Sequence, residues 1–418
     1  MRGAGLPAWS LFAALIASAG LPIYIHAPKF YVDSYGVSLA ALGVTLALLR
    51  LFDVVQDPVL GWLAEVGQRS RACWVALATA TMALSMLGLF AVPPPIAPIL
   101  WFALTLSGLF TSFSFLTICF YAEGVAKAAT LGPNGHIRLA GWREAGSLLG
   151  VSLAAVAPVA LASVFATPFA AFAALFVGLA LTATLAMRHN WGRGTPLPPS
   201  NPVAMFRPAL GDPLARRLLL IALLNASPVA VTSTLFLFFV ESRLDAAGLE
   251  GPLLLLFFLS AAASTPVWSR LAQRYGAKPS LLAAMILAVL AFLWTALLTS
   301  GDVVAFALIC AASGAALGAD LTLLPAIFAR RLAQIGTGGE AAAFGLWSFV
   351  SKLSLAIAAA TLLPVLDGVG FRPGVQNTEQ ALFTLSMIYA ALPCVLKLTA
   401  IALLARTRVP EHTEGTAA

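Results

Sequence analysis

Ser38 to Leu63 reads SLAALGVTLALLRLFDVVQDPVLGWL, an apolar stretch that carries Arg50, Asp53 and Asp57 in its interior. A helix of about 20 apolar residues crosses the hydrocarbon core of a bilayer, so the segment is read as a membrane span. An ionised side chain at the bilayer centre costs roughly 2.5 to 3.5 kcal/mol on insertion scales, so such residues face a wet cavity and mark an ion or substrate path. Asp53 and Asp57 are four apart and share one helix face, and Gln56 and Arg50 each lie three residues from Asp53. One stripe thus holds two acids, an amide and a guanidinium.

The rest of the chain has the same character. Its 418 residues are 60% hydrophobic and 10% charged, with a mean hydropathy of +0.94. That excludes a soluble domain and points to an all-α, polytopic membrane protein. Twelve spans are expected, near residues 8–31, 38–63, 73–92, 97–122, 139–163, 166–187, 218–240, 251–272, 279–299, 303–328, 340–364 and 382–404. The net charge of +7 does not indicate nucleic acid. Counting from a cytoplasmic N-terminus, 17 of the 24 Lys and Arg fall in the inside segments, so the positive-inside rule places both termini in the cytoplasm of an inner or plasma membrane, as in bacteria. Cys73, Cys119, Cys310 and Cys394 lie in or beside apolar spans without metal spacing and are expected as free thiols.

The longest polar stretch, Arg188 to Arg217, is rich in Pro and Arg and reads as a cytoplasmic linker between two six-helix bundles, 1–187 and 218–405, with 406–418 as a tail. A weak internal repeat supports the halves. Pro58 to Ala64 and Pro266 to Ala272 both read P-V-x-x-x-L-A at an offset of 208, and Arg143 and Lys352 differ by 209. Parallel repeats of this kind place a site near the midplane at their interface. Pro22 and Pro28 flank Tyr24 and His26 in the first span, where a proline frees a carbonyl for a neighbour or a cation.

These motifs resemble the glycoside, pentoside and hexuronide cation symporters, the melibiose permease branch of the major facilitator superfamily. Arg50, Asp53, Asp57, Pro58 and Gly61 match that family's second-helix pattern R-x-x-D-x-x-x-D-P-x-x-G. Gly141-Trp142-Arg143-Glu144, LFLFFVE from Leu235, Gly318-Ala319-Asp320 and FGLWSFVSKL from Phe344 extend the likeness over nearly the whole chain. The resemblance implies a twelve-helix major facilitator fold and a cation site at Asp53, Asp57, Gln56 and Ser114, with Na⁺ or H⁺ as coupling ion and no other cofactor or metal. Gln56 stands where sodium users of the family often have Asn. Two acids that fix the sugar in the melibiose permease fall at Ala17 and Thr117, so both carboxylates are missing.

Candidate substrate contacts are Tyr24, Thr117, Tyr121, Arg143, Trp347 and Lys352, a set that suits an anionic or amphiphilic solute at least as well as a neutral sugar. Arg50 and Asp320 are assigned to a charge network. Glu65, Arg69, Arg71, Arg270 and Arg274 look like the superfamily's loop signature and are expected to form exposed pairs across an inner gate, each worth about 1 kcal/mol or less. Two readings of the aspartates stand: cation coupling, or an ion pair with Arg50, Arg143 or Lys352 that holds helices together. Scattered His residues and the lack of a nucleotide loop or nucleophile elbow argue against an enzyme. The expectation is a monomeric secondary transporter whose partners are a small-molecule solute and the lipid bilayer. Symport of a sugar, glycoside or uronate-like compound is the first reading; a lysolipid carrier or a proton-driven exporter is the alternative.

Overall fold

The computed structural model describes residues 5–192, 202–336, 339–372 and 376–409; within them the side chains of Tyr24 and Lys29, among a few others, lie outside the described set. The described residues form fourteen α-helices and no strand. In chain order these are α1 (Leu6–Ser18), α2 (Leu21–Tyr35), α3 (Leu39–Val66), α4 (Arg71–Phe90), α5 (Pro98–Ala129), α6 (Gly135–Leu161), α7 (Pro168–Met187), α8 (Pro202–Gly211), α9 (Pro213–Phe238), α10 (Glu250–Tyr275), α11 (Ala277–Leu293), α12 (Val303–Ile335), α13 (Glu340–Gly368) and α14 (Glu379–Ala405).

Ten stretches of the described residues are long and apolar enough to cross a membrane; one of them, Ala41–Phe90, contains both α3 and α4. The expected first span is not one helix. It breaks between α1 and α2 at Ala19 and Gly20, because Pro22 has no N–H to continue the ladder and starts a new helix instead. Counting α1 with α2 as one pass, and leaving out the short α8 in the linker, the helices account for the twelve spans. Helix starts follow local chemistry: Ser38, Asp212 and Thr378 each accept a hydrogen bond from the backbone N–H three residues on, capping α3, α9 and α14.

Two compact units emerge. The first comprises Met1–Leu131, Trp142–Leu210 and Leu332–Phe349; the second comprises Gly132–Gly141, Gly211–Arg331 and Val350–Ala418. Helices α6 and α13 are therefore each divided, after Gly141 and after Phe349. Those points lie 208 residues apart, the offset of the sequence repeat.

The packing repeats too. In the first unit a Cβ at Gly61 on α3 would meet Ala341 O at 3.0 Å and Gly345 Cα at 3.1 Å on α13. In the second, 208 residues on, Ser269 on α10 occupies the matching place, and a Cβ at Gly141 on α6 would meet its Oγ at 2.5 Å. Small residues let helix backbones approach where lipid supplies no hydrophobic drive between helices.

Each unit also has its own aromatic core. Phe30, Phe90 and Phe169 cluster in the first, and Phe239 stacks on Tyr389 at 4.2 Å in the second.

Candidate functional site

Helix α3 has two contrasting faces. Val44, Leu48, Leu51, Val55 and Val59 recur at helical spacing and are exposed, as befits a lipid-facing stripe, while Asp53, Gln56 and Asp57 are buried on the other side. Inverting the soluble pattern in this way turns the charged stripe toward protein. On the first unit's inner side α3 meets α5 and the start of α13, and these supply the partners.

Asp53 and Gln56 come together as the spacing anticipates: Gln56 Nε2 donates to Asp53 Oδ1 at 2.8 Å. From α5, Ser114 Oγ donates to the same oxygen at 3.1 Å, and Thr111 Oγ1 donates to Gln56 Oε1 at 2.9 Å. One turn along α3, the fully buried Asp57 receives a 2.5 Å hydrogen bond on Oδ2 from Ser348 Oγ of α13. The cluster is thus made of carboxylate, hydroxyl and amide oxygens, the ligand types preferred by hard cations. Thr111 and Ser348 were not anticipated. Ser348 lay within the quoted FGLWSFVSKL stretch, and Thr111 is three residues, about one turn, before Ser114; neither had a signal that set it apart from the Ser and Thr of other spans.

A second group lies on α5 and α6. The Arg143 guanidinium carbon sits 3.6 Å from the centre of the Tyr121 ring, and Arg143 Nε donates to Glu144 Oε1 at 2.8 Å. Tyr121 donates its hydroxyl to the same carboxylate oxygen at 3.0 Å, and its ring packs on Phe344 at 5.2 Å. Arg143 is 5% exposed, and its Nη2 is buried with no hydrogen-bond partner among the described residues. Glu144 belonged to a quoted motif, but the sequence assigned it no role. Thr117 spends its hydroxyl on Phe113 O of its own helix, at 2.7 Å.

The other expected contacts distribute as follows. Trp347 is half-buried in the first unit, Lys352 belongs to the second, and the side chain of Tyr24 lies outside the described residues. Arg50 and Asp320, grouped by sequence into one charge network, belong to different units. Asp320 is held by Lys397 of α14, which also donates to Asn225 Oδ1 of α9 at 2.6 Å. Lys397 and Asn225 went unnoticed because they sit 77 and 95 residues from Asp320 and share no motif with it.

The loop residues also differ from expectation. Glu65 is fully buried rather than exposed; it accepts the backbone N–H of Gly339 at 3.1 Å and of Ala341 at 3.0 Å, and a hydrogen bond from Gln68. A carboxylate at the orphan amides of a helix start is favoured by both hydrogen bonding and the helix dipole, which accounts for its place at the start of α13. Arg71 pairs with Glu123 of α5 at 2.9 Å within the first unit. Arg69 and Arg270 are exposed, and the exposed Arg274 lies 5.2 Å over the ring of Tyr275.

Comparison with known proteins agrees with this architecture. Two crystal structures of a bacterial homologue of the iron transporter ferroportin in an outward-facing state are similar in fold. The one with soaked iron has a TM-score of 0.71 at 14% identity, covering 97% of this chain and all of that one. The other has a TM-score of 0.69 at 15% identity, covering 96% and 100%. A family model described as MFS/sugar transport protein matches residues 8–411. The chain therefore belongs to the MFS/sugar transport protein family of the major facilitator superfamily, and is a multi-pass integral membrane protein that carries out secondary transport by alternating access.

Proposed function

We propose that the protein is a symporter in which Na⁺ or H⁺, bound at Asp53 and Asp57, drives uptake of a small solute bearing a negative charge, of the uronate or acidic glycoside kind. The observation that carries coupling is the oxygen cluster of Asp53, Gln56 and Ser114, with Asp57 and Ser348 one turn away. The Ser114 hydroxyl points its proton at Asp53; rotating it turns a lone pair toward an arriving cation without moving either helix. An ion held in this cluster draws on ligands from α3 and α5, with α13 one turn away, and this gives ion binding its leverage over the transport cycle.

The choice of solute rests on Arg143. A buried guanidinium N–H without a partner is expensive, and a carboxylate on the solute would satisfy it with a charge-assisted hydrogen bond. Tyr121, whose ring centre lies 3.6 Å from the guanidinium carbon, would give the solute an aromatic surface beside that charge. One cation carried with one monoanion moves no net charge, so the driving force is the ion's concentration gradient, and a tenfold gradient supplies about 1.4 kcal/mol. The same reading treats the protein as a monomer of a bacterial inner membrane with both termini in the cytoplasm, in line with its distribution of Lys and Arg.

The test is uptake into proteoliposomes under imposed Na⁺ or H⁺ gradients, with glucuronides, neutral galactosides and lysolipids offered in parallel. Glucuronide accumulation that follows one ion, vanishes in Asp53→Asn while counterflow persists, and loses solute binding in Arg143→Ala is the expected result. Unchanged accumulation in Asp53→Asn would overturn coupling. Accumulation of lysolipid alone would overturn the choice of solute.

A further inference from the structure

Away from the α3 site, the second unit holds a partly open cavity of about 70 Å³ among α9, α10, α11, α12 and α14. Its walls are largely apolar, with Pro228, Phe257, Val289, Phe292, Leu317 and Pro393 around the space, and Asp320 and Lys397 also line it. Both are at least nine-tenths buried. Lys397 bonds Asp320 Oδ2 and Asn225 Oδ1, whereas Asp320 Oδ1 is buried and has no hydrogen-bond partner among the described residues. A buried acceptor of this kind is expected to be satisfied in the working protein.

From this juxtaposition we propose that the cavity is a binding site for a small neutral molecule with an apolar body and one hydrogen-bond donor, such as a phenol or a cyclic alcohol, which donates to Asp320 Oδ1.

The charges select neutrality. Asp320 and Lys397 already balance, so an added cation is opposed by Lys397 and an added anion by Asp320, each leaving an uncompensated charge where the dielectric is low. The walls select the apolar body. By volume the cavity admits roughly five water-sized occupants, room for a six-membered ring. Water alone would satisfy Oδ1 but would leave most of its other hydrogen bonds facing Phe and Val side chains.

The probe pair is phenol and toluene, which share a shape and differ in the donor. Saturation-transfer NMR on the full chain in nanodiscs, with empty nanodiscs subtracted, should show phenol bound roughly tenfold more tightly than toluene, the effect of one satisfied acceptor. Ala288→Phe fills the cavity without touching the ion pair and should abolish phenol binding. Asp320→Leu combined with Lys397→Met keeps the volume and removes the acceptor, so toluene should then bind at least as well as phenol. Phenol signal no greater than in empty nanodiscs, phenol no tighter than toluene, binding undiminished by Ala288→Phe, or a preference for phenol that survives the double substitution would each overturn the site. None of these readouts depends on transport at Asp53.

Discussion

Replacing Lys397 with Met asks how much of the second unit's stability depends on one buried charge pair. The side chains of Lys397 and Asp320 are 5% and 6% exposed, so solvent screens their attraction little. Met matches the Lys stem in length and keeps its packing, but it withdraws the ammonium from Asp320 and the donor from Asn225 Oδ1. Breaking a buried pair by removing one partner costs about 3–5 kcal/mol, because the other charge stays behind without compensation. That corresponds to roughly two to three and a half powers of ten in the folded-to-unfolded ratio. Asp320→Leu alone should lose a similar amount. The double substitution removes both charges, and well-packed apolar replacements of a buried pair are often neutral or stabilising. The two losses should therefore fail to add, with a coupling energy of at least about 2 kcal/mol. Denaturant titration in lipid–detergent micelles measures the cycle. Thiol labelling gives a second probe, since Cys119, Cys310 and Cys394 are buried and become reactive on unfolding, while Cys73 is exposed from the start. A Lys397→Met protein within about 1 kcal/mol of the parent, or a double variant no more stable than either single one, would refute the reasoning.

Three further outcomes follow from the same structure. Gly345→Val should separate α13 from α3, since a Cβ there would stand 2.9 Å from Asp57 O and 3.1 Å from Gly61 Cα, both backbone atoms that cannot swing aside. Overpacking of this kind costs about 1–3 kcal/mol, and gradient-driven uptake should fall with it, while Gly178→Ala, in open space, should change neither. Glu65→Ala should speed hydrogen exchange at the amides of Gly339 and Ala341, with a loss of about 1 kcal/mol; unchanged exchange there would remove its capping role. Asp212 has its carboxyl held below the usual aspartate range, chiefly by the hydrogen bond from Arg331, whose Nη2 lies 2.5 Å from Oδ2. A depressed carboxyl stabilises the fold fully above its ordinary pKa, about 3.9, and loses that contribution as pH falls through the lower folded value. Asp212→Asn should therefore be less stable than the parent at pH 6, with the gap closing on acidification below pH 4; a gap independent of pH would refute the assignment.

Hydropathy made the passes legible because a backbone in lipid has few alternatives to a helix. Where the reading slipped, a local covalent fact decided the matter: Pro22 splits the first span, which a hydropathy window averages away. Within the site, what was legible lay on one helix. Asp53, Gln56 and Asp57 follow from a spacing of three and four residues, and Ser114 followed from the resemblance; the structure joins Ser114 to Asp53. Contacts between distant helices were not legible, because no periodicity links Asp57 to Ser348, 291 residues on, or Asp320 to Lys397. Glu65 shows a different limit. Its position beside Arg69 and Arg71 suggested an exposed charge partner, whereas it is buried and accepts from Gln68 and from two backbone amides, groups that no sequence pattern marks.

The carboxylates of the chain are held in different ways, which bears on the coupling proposed for α3. Glu123, Glu144, Asp320 and Asp212 each hold a cationic side chain directly, Arg71, Arg143, Lys397 and Arg331 in turn. Asp53 draws a hydroxyl from Ser114 and an amide from Gln56, and Asp57 draws a hydroxyl from Ser348. A hydroxyl changes from donor to ligand by turning about one bond, and the ligand sets come from α3, α5 and the start of α13. Because Gly61 and Gly345 bring the α3 and α13 backbones into contact beside Asp57, an ion bound there as proposed would act on α13 directly. The division of α13 after Phe349 places Ser348 at the last turn that belongs to the first unit. The hydroxyl that bonds Asp57 thus sits at the point in the chain where one unit gives way to the other, which is where the proposed ion binding would act on an alternating-access cycle.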